Sequence, residues 1–291
     1  MADIIELKAG NLSARIIPQG AELLQLSCNG KELLWVPDAR IWNARCSVLF
    51  PVIGRTENDA IRVDGQLYPM PMHGFAKDSI FETIEQSRTS CRLQLISNAA
   101  TMQHFPFSFK LVLQYDLSET SLQLTVEISN PGQEILTTGF GLHPGFRWPL
   151  DPLHHKEDYR LSFADDTVLT YTRPRNRQIG PERHQLEIEN GVLHLNEALF
   201  LESGLVFLSP NSRSVRFHSA DEMASIRLNY PQFSQLILWT RPGSDLLCIE
   251  PCYGFADPIG FSGKYCDKPG LAHIEPGRSF QLNIEIEPEF R

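Results

Sequence analysis

The chain has 291 residues, 42% hydrophobic and 21% charged, with a formal net charge of −9, and that length and apolar content suffice to bury a sizeable core without disulfide or metal clips. Lysine and arginine are scattered, which leaves no phosphate-neutralising stripe for a nucleic-acid partner, and no apolar run approaches the roughly 20 residues that cross a bilayer. The opening stretch, Met1 to Gly10, lacks the basic and apolar regions of a secretory signal, so a cytoplasmic location is expected, with the cysteines at 28, 46, 91, 248, 252 and 266 as reduced, mostly buried thiols.

Alternation of apolar and polar residues is the dominant pattern along the chain. It predicts strands at 12–17 and 23–28, a turn at Asn29-Gly30 into 32–36, and a second hairpin of 61–63 and 66–68 around Asp64-Gly65. Strands follow at 80–85 and 92–97 across a polar turn, then at 109–117 and 122–129, the last ending on Asn130-Pro131-Gly132. The second half predicts strands at 159–163, 168–171, 205–208, 215–218, 225–230, 236–240, 246–250 and 279–287. Helical periodicity is nearly absent; 99–104 and 196–201 are each expected to make a turn or two. Short strands throughout, with no low-complexity linker, imply one all-β domain over 1–291, built as a large antiparallel sandwich or barrel. Residues 174–182 form the loosest segment, and Arg173, Arg175 and Arg177 beside it read as a solvated loop.

Four segments place an ionisable residue among glycine, proline and aromatic groups: Phe50-Pro51-Val52-Ile53-Gly54-Arg55, Met72-His73-Gly74-Phe75-Ala76, Gly141-Leu142-His143-Pro144-Gly145-Phe146 and Cys248-Ile249-Glu250-Pro251-Cys252-Tyr253-Gly254. Each is expected at a strand end, where a loop aims the side chain into a cleft. Each residue taken alone has a plainer reading: His143 as a core histidine bonded to a carbonyl, His73 as a turn former, Arg55 as an ion-pair partner. Glu250 is harder to dismiss, because it ends the apolar run Leu246-Leu247-Cys248-Ile249, and buried carboxylates need a partner or a task. The remaining histidines, His154, His155, His184 and His218, have no supporting motif and read as surface residues.

The ordered set Phe-Pro-x-x-Gly-Arg, His-Gly-Phe-Ala, Gly-x-His-Pro-x-Phe and Glu-Pro resembles the galactose mutarotase-like superfamily, in particular its LacX-like aldose 1-epimerase branch. Glu32-Leu33-Leu34-Trp35 and Trp42 fit the same branch. The resemblance implies a β-supersandwich and an isomerase that interconverts sugar anomers, with His143 as general acid and Glu250 as general base. It implies that Arg55 and His73 hold sugar hydroxyls or the ring oxygen. The chemistry then asks for a protonated His143 and an ionised Glu250, so a nearby carboxylate is expected to raise His143 and a cation such as Arg55 to keep Glu250 charged. The partner is a small-molecule sugar, and neither cofactor nor metal is required.

This sequence departs from the family at two places. Cys252 stands where many members have tryptophan, so an aromatic platform for the sugar is expected from Tyr253, Phe75 or Phe146. Ser203, with Glu202 beside it, stands where relatives supply an acidic sugar contact. Asp257 is expected to shape the turn after the Glu250 strand. Cys248 and Cys252 share a strand face with Glu250 at two-residue steps, but a zinc site needs further ligands at suitable spacing, so no metal is expected there. The competing readings are a hexose-6-phosphate mutarotase, which adds an arginine or lysine cluster drawn from Arg45, Arg55, Lys77 and Arg147, a non-catalytic sugar-binding β-sandwich, and a two-carboxylate glycoside hydrolase. The sugar itself and the oligomeric state are not legible.

Overall fold

A computed structural model describes residues 4–291, and they form an all-β molecule in which every paired strand is antiparallel. The alternation Leu111, Leu113, Tyr115 and Leu122, Leu124, Val126, Ile128 puts one face of Lys110–Leu117 and Leu122–Ser129 in the core. These strands lie in a nine-stranded sheet ordered Val192–His194, Tyr159–Phe163, Ser214–Ser219, Ala224–Asn229, Ser279–Phe290, Leu122–Ser129, Lys110–Leu117, Ser90–Ile96, Glu82–Gln86. A four-stranded N-terminal sheet covers Ile5–Ala9 to Lys31–Glu32. The third main sheet has five strands in the order Leu205–Phe207, Gln235–Trp239, Leu246–Tyr253, Phe140–Arg147, Cys46–Leu49. Helical structure among the described residues is confined to short 3-10 turns, including Thr101–Gln103 and Glu197–Phe200 where turns were expected.

One core cluster runs from Ile5 to Ile286 and takes side chains from all three sheets. Fully burying one of its leucines or phenylalanines is worth about 1.5–3 kcal/mol. The five-stranded sheet gives this core alternate residues of each strand: Cys46 and Val48, Phe140, Leu142 and Phe146, Leu205 and Phe207, Leu236 and Leu238, and Leu247 and Ile249. The opposite face of the same strands is roofed by loops rather than by another sheet. Trp35, Ile41 and Trp42 pack on Leu246, Cys248 and Trp239; Ile53 packs on Leu49 and Cys252; Ile179, Phe255 and Ala256 pack on Val206. The polar residues of the sheet lie between these three small clusters.

Several predicted strands are borne out, including the hairpin of Ala60–Val63 with Gln66–Pro69, whereas the Asn29-Gly30 turn leads only into Lys31–Glu32 rather than a strand over 32–36, and Ile5–Ala9, Cys46–Leu49, Leu136–Thr138 and Ala272–Ile274 lie outside the expected strands. The segment read as loose carries a small hairpin, Pro174–Arg175 with Gln178–Ile179.

Candidate active site

His143 and Glu250 lie in the middle of eight-residue strands, Phe140–Arg147 and Leu246–Tyr253, not at strand ends as expected. The pairs Gly141–Cys252 and Gly145–Cys248 bracket them, so the two side chains face one another across neighbouring strands. His143 Nε2 stands 3.4 Å from Glu250 Oε1. Each residue is followed by proline, which has no N–H to give a neighbouring strand, and the pairing between these central strands breaks between Gly141 and Gly145. On the outer side, Ser47 pairs with His143 and Ile237 with Glu250.

Both side chains are nearly closed off from solvent, with 8% exposure for His143 and 2% for Glu250. Trp42 lies over the imidazole with ring centroids 4.6 Å apart and planes at 28°. The Trp239 ring meets His143 edge-on at 6.2 Å, and His73 does so at 5.7 Å. Gly145 makes the Trp42 contact possible: a Cβ there would stand 2.7 Å from both Trp42 Cζ3 and Leu246 Cδ1. Cavities of about 510 Å³ beside Trp35, Ile41 and Asp245, and about 220 Å³ beside Glu57, Phe261 and Tyr265, are lined by neither member of the pair.

His73 enters from the turn after Gln66–Pro69, with a backbone φ of +66°. Its Nδ1 accepts a hydrogen bond from the Gly54 N–H at 3.1 Å, and its own N–H donates to the Gly54 carbonyl at 2.8 Å. The neutral ring therefore carries its proton on Nε2, an assignment that rests on that bond. The next residue must be glycine: at φ +72°, a Cβ on Gly74 would fall 2.0 Å from the Phe50 carbonyl oxygen. This contact locks the 50–55 and 72–76 segments together beside the pair.

Burial dominates the electrostatics. It pushes the His143 imidazole down to about 3, helped by nearby His73, and pushes the Glu250 carboxyl well up. His73 is lowered to about 4, first by burial and then by the charges of Lys77 and Arg177. The expected support from neighbouring charges is not what the structure contains. Arg55 is bound through two hydrogen bonds to Asp59, at 2.7 and 2.6 Å, on the surface, and among the described residues no cation offsets the burial of Glu250. The Nδ1 of His143 is buried without a hydrogen-bond partner among the described residues.

The strands bring His143 and Glu250 together and the turn after Gln66–Pro69 adds His73, but the expected aromatic platforms go elsewhere. Phe146 lies three residues beyond His143 and Tyr253 three beyond Glu250, an odd step that turns them to the opposite face. Phe146 is fully buried in the core, and the Tyr253 ring packs edge-on against Phe280. Phe75 packs against Phe50, Phe105 and Phe109. The aromatic surface beside the pair is made by Trp42 and Trp239. Trp42 stood in the sequence only as a mark of resemblance, and Trp239 carried no signal beyond its place in a strand.

Other expectations divide. Asp257 does shape the turn: Oδ2 accepts the Glu57 N–H at 2.9 Å, and Oδ1 pairs with buried Lys268 Nζ at 2.8 Å. Glu202 is exposed and pairs with Arg173, which also donates to the Ser203 and Leu199 carbonyls. Arg177 reaches back to the Met72 sulfur at 3.7 Å, beside His73, so this arginine group is not simply solvated. His218 is buried rather than on the surface, bonded to Ser162, and His154 is held between Asp151 and Asp221. Cys248 and Glu250 acquire a third potential metal donor, His143, from the adjacent strand, which spacing along one strand did not reveal.

Comparison with known proteins agrees with this architecture. Over 298 aligned residues the chain is 27% identical to the plasmid-encoded protein LacX of Lactococcus lactis subsp. lactis, covering 97% of this chain and 98% of that one. A galactose mutarotase related enzyme from Lactobacillus acidophilus superposes with a TM-score of 0.92 at 24% identity, covering 99% of this chain and 97% of its own. A galactose mutarotase-like protein from Lactobacillus casei gives 0.90 at 25% identity, covering 99% and 100%. These likenesses establish the galactose mutarotase-like fold. The sequence profile described as Aldose 1-epimerase matches residues 3–287, essentially the whole chain, and the chain belongs to that family.

Proposed function

We propose that this protein is an aldose 1-epimerase that interconverts the α and β anomers of a free aldose, with His143 as acid and Glu250 as base. The observation that carries the proposal is the facing pair, 3.4 Å apart and buried on adjacent strands. The anomeric hydroxyl and the ring oxygen are both bonded to C1, so the groups that exchange protons with them must stand side by side. A two-carboxylate glycosidase instead holds its acid and its base or nucleophile roughly 5–9.5 Å apart.

Ring opening balances as follows. Glu250 takes the proton from the anomeric hydroxyl, the O1 electrons form the C1=O bond, the C1–O5 bond breaks, and O5 takes a proton from His143. Rotation about C1–C2 turns the aldehyde over, and closure runs the same transfers backwards. The pair ends with the number of protons it began with, so this proton inventory requires no redox partner and no covalent intermediate. His73 Nε2–H and Arg55 are assigned to sugar oxygens, the latter after exchange with Asp59. Trp42 and Trp239 supply the apolar walls in place of Phe75, Phe146 and Tyr253. The working unit is a single domain over 1–291, because the core carrying both strands is continuous. A cytoplasmic setting, in which its six free cysteines stay reduced, belongs to the same proposal.

A second reading, a hexose-6-phosphate mutarotase, is favoured by Lys77 and Arg177, whose charges act on His73. Anomer exchange measured by NMR or polarimetry on a panel of free aldoses and hexose 6-phosphates decides between them. Acceleration over buffer for a free aldose supports the main reading, and acceleration confined to phosphosugars supports the second. Sugar binding without acceleration of any member would make the protein a carbohydrate-binding module.

A further inference from the structure

Cys248 lies two residues before Glu250 on the same strand, and mutarotation has no use for its thiol. A ring nitrogen of His143, the Cys248 sulfur and a carboxylate oxygen of Glu250 all lie within 4.8 Å of one another, and all three residues are buried. Imidazole, thiolate and carboxylate are a donor set suited to zinc, with a fourth position left for water. In a tetrahedral zinc site the ligand atoms are about 3.4–3.8 Å apart, so shifts of about 1 Å suffice, well within the reach of a glutamate or histidine rotamer. One thiolate and one imidazole select a borderline-soft divalent cation over magnesium or calcium.

We propose that His143, Cys248 and Glu250 form a three-ligand site for a single Zn²⁺ ion, and that the bound metal excludes the sugar by occupying the acid and the base. Trp42 and Trp239 pack against Cys248 and provide the dry surround that such a site needs. The site is thus inhibitory: a free zinc ion and an aldose compete for the same two side chains. The metal-binding half stands on the geometry of the three residues, and only the inhibition rests on the mutarotase reading.

The test uses the full-length protein freed of metal by chelator. Titration with Co²⁺ alone is expected to give a thiolate-to-cobalt charge-transfer band that saturates at one equivalent, and Zn²⁺ is expected to displace the cobalt. Cys248→Ser should abolish the band and weaken Zn²⁺ binding at least tenfold, whereas Cys252→Ser, on the other side of Glu250, should keep both. Retention of the thermal melting transition by Cys248→Ser separates loss of the ligand from loss of the fold, and Glu250→Gln provides an independent ligand deletion with the same expected weakening. Inhibition is read as the Zn²⁺ concentration that halves each protein's own metal-free rate, and it should rise at least tenfold in Cys248→Ser and fall away when sugar is in excess. A wild-type protein that gives no band, or a band that survives Cys248→Ser, overturns the site. A wild-type protein that binds one zinc but does not accelerate mutarotation even when metal-free would sink the mutarotase reading and leave the metal site standing.

Discussion

Trp42 lies flat against His143, its ring 4.6 Å from the imidazole, at a place in the strand where Gly145 leaves no side chain to hold it off. A stacked aromatic contact contributes about 0.5–1.5 kcal/mol beyond the area it buries. Trp42→Ala is therefore expected to lower kcat/KM roughly tenfold, with Trp42→Phe recovering most of the loss. Gly145→Ala should reproduce the defect by displacing the ring. Polarimetric rates, together with quenching of tryptophan emission by sugar, check both. Unchanged rates in Trp42→Ala would remove that ring from the site.

Glu250→Gln keeps the shape of the side chain and removes its capacity to take a proton. Loss of a general base typically costs on the order of 10²- to 10⁴-fold, so the variant should show no acceleration above buffer. Because burial already disfavours the charged carboxylate, the neutral amide should melt no lower than the parent. Full activity in this variant removes Glu250 from the mechanism.

The pH profile follows from the direction of the two shifts. The imidazole is lowered to about 3, so the doubly protonated, positively charged pair forms only in strong acid. The carboxyl is raised, so the fully deprotonated, negative pair forms only above the ordinary glutamate range. Between these limits the pair carries one proton, which burial places on Glu250, so ring opening with His143 as acid begins by passing that proton to His143 across the 3.4 Å contact. The kcat/KM for an aldose is expected to stay level as pH falls through 6.5, with the alkaline limb set by Glu250. An acid limb near 6.5 would instead mean that His143 titrates as an ordinary histidine.

The Asp257–Lys268 pair joins the turn after the Glu250 strand to the segment before Ala272–Ile274, and both side chains are buried. Removing one partner of a buried pair costs about 3–5 kcal/mol. Lys268→Met is expected to lower Tm by on the order of 10 °C, and Asp257→Leu in the same chain should restore part of it. Calorimetry of the single and double variants measures the difference. A Tm unchanged by Lys268→Met would show that the pair contributes nothing.

The sequence by itself determined the strand-rich class, the turns of both hairpins and the segments that hold the candidate site, because alternation and turn chemistry are local properties. It also pointed to Glu250, since a carboxylate closing an apolar run needs a partner, and the structure supplies that partner in His143. The Gly141–Phe146 segment, expected at a strand end, lies inside the strand Phe140–Arg147. Once His143 and Glu250 sit mid-strand, a period of two sends Phe146 and Tyr253 to the opposite face, into or against the core. Only the tertiary structure could bring Trp42 and Trp239 to His143, place Cys248 beside both members of the pair, and leave Arg55 on Asp59. Whereas Arg55 is taken up by a local partner four residues away, the contacts of Trp42, Trp239 and Cys248 with His143 depend on which segments lie side by side and in what register, a matter of long-range pairing that no local stretch of sequence encodes. The flat contact of Trp42 on His143 is of that kind: its two residues are far apart in the chain, and the space it uses is the missing side chain of Gly145.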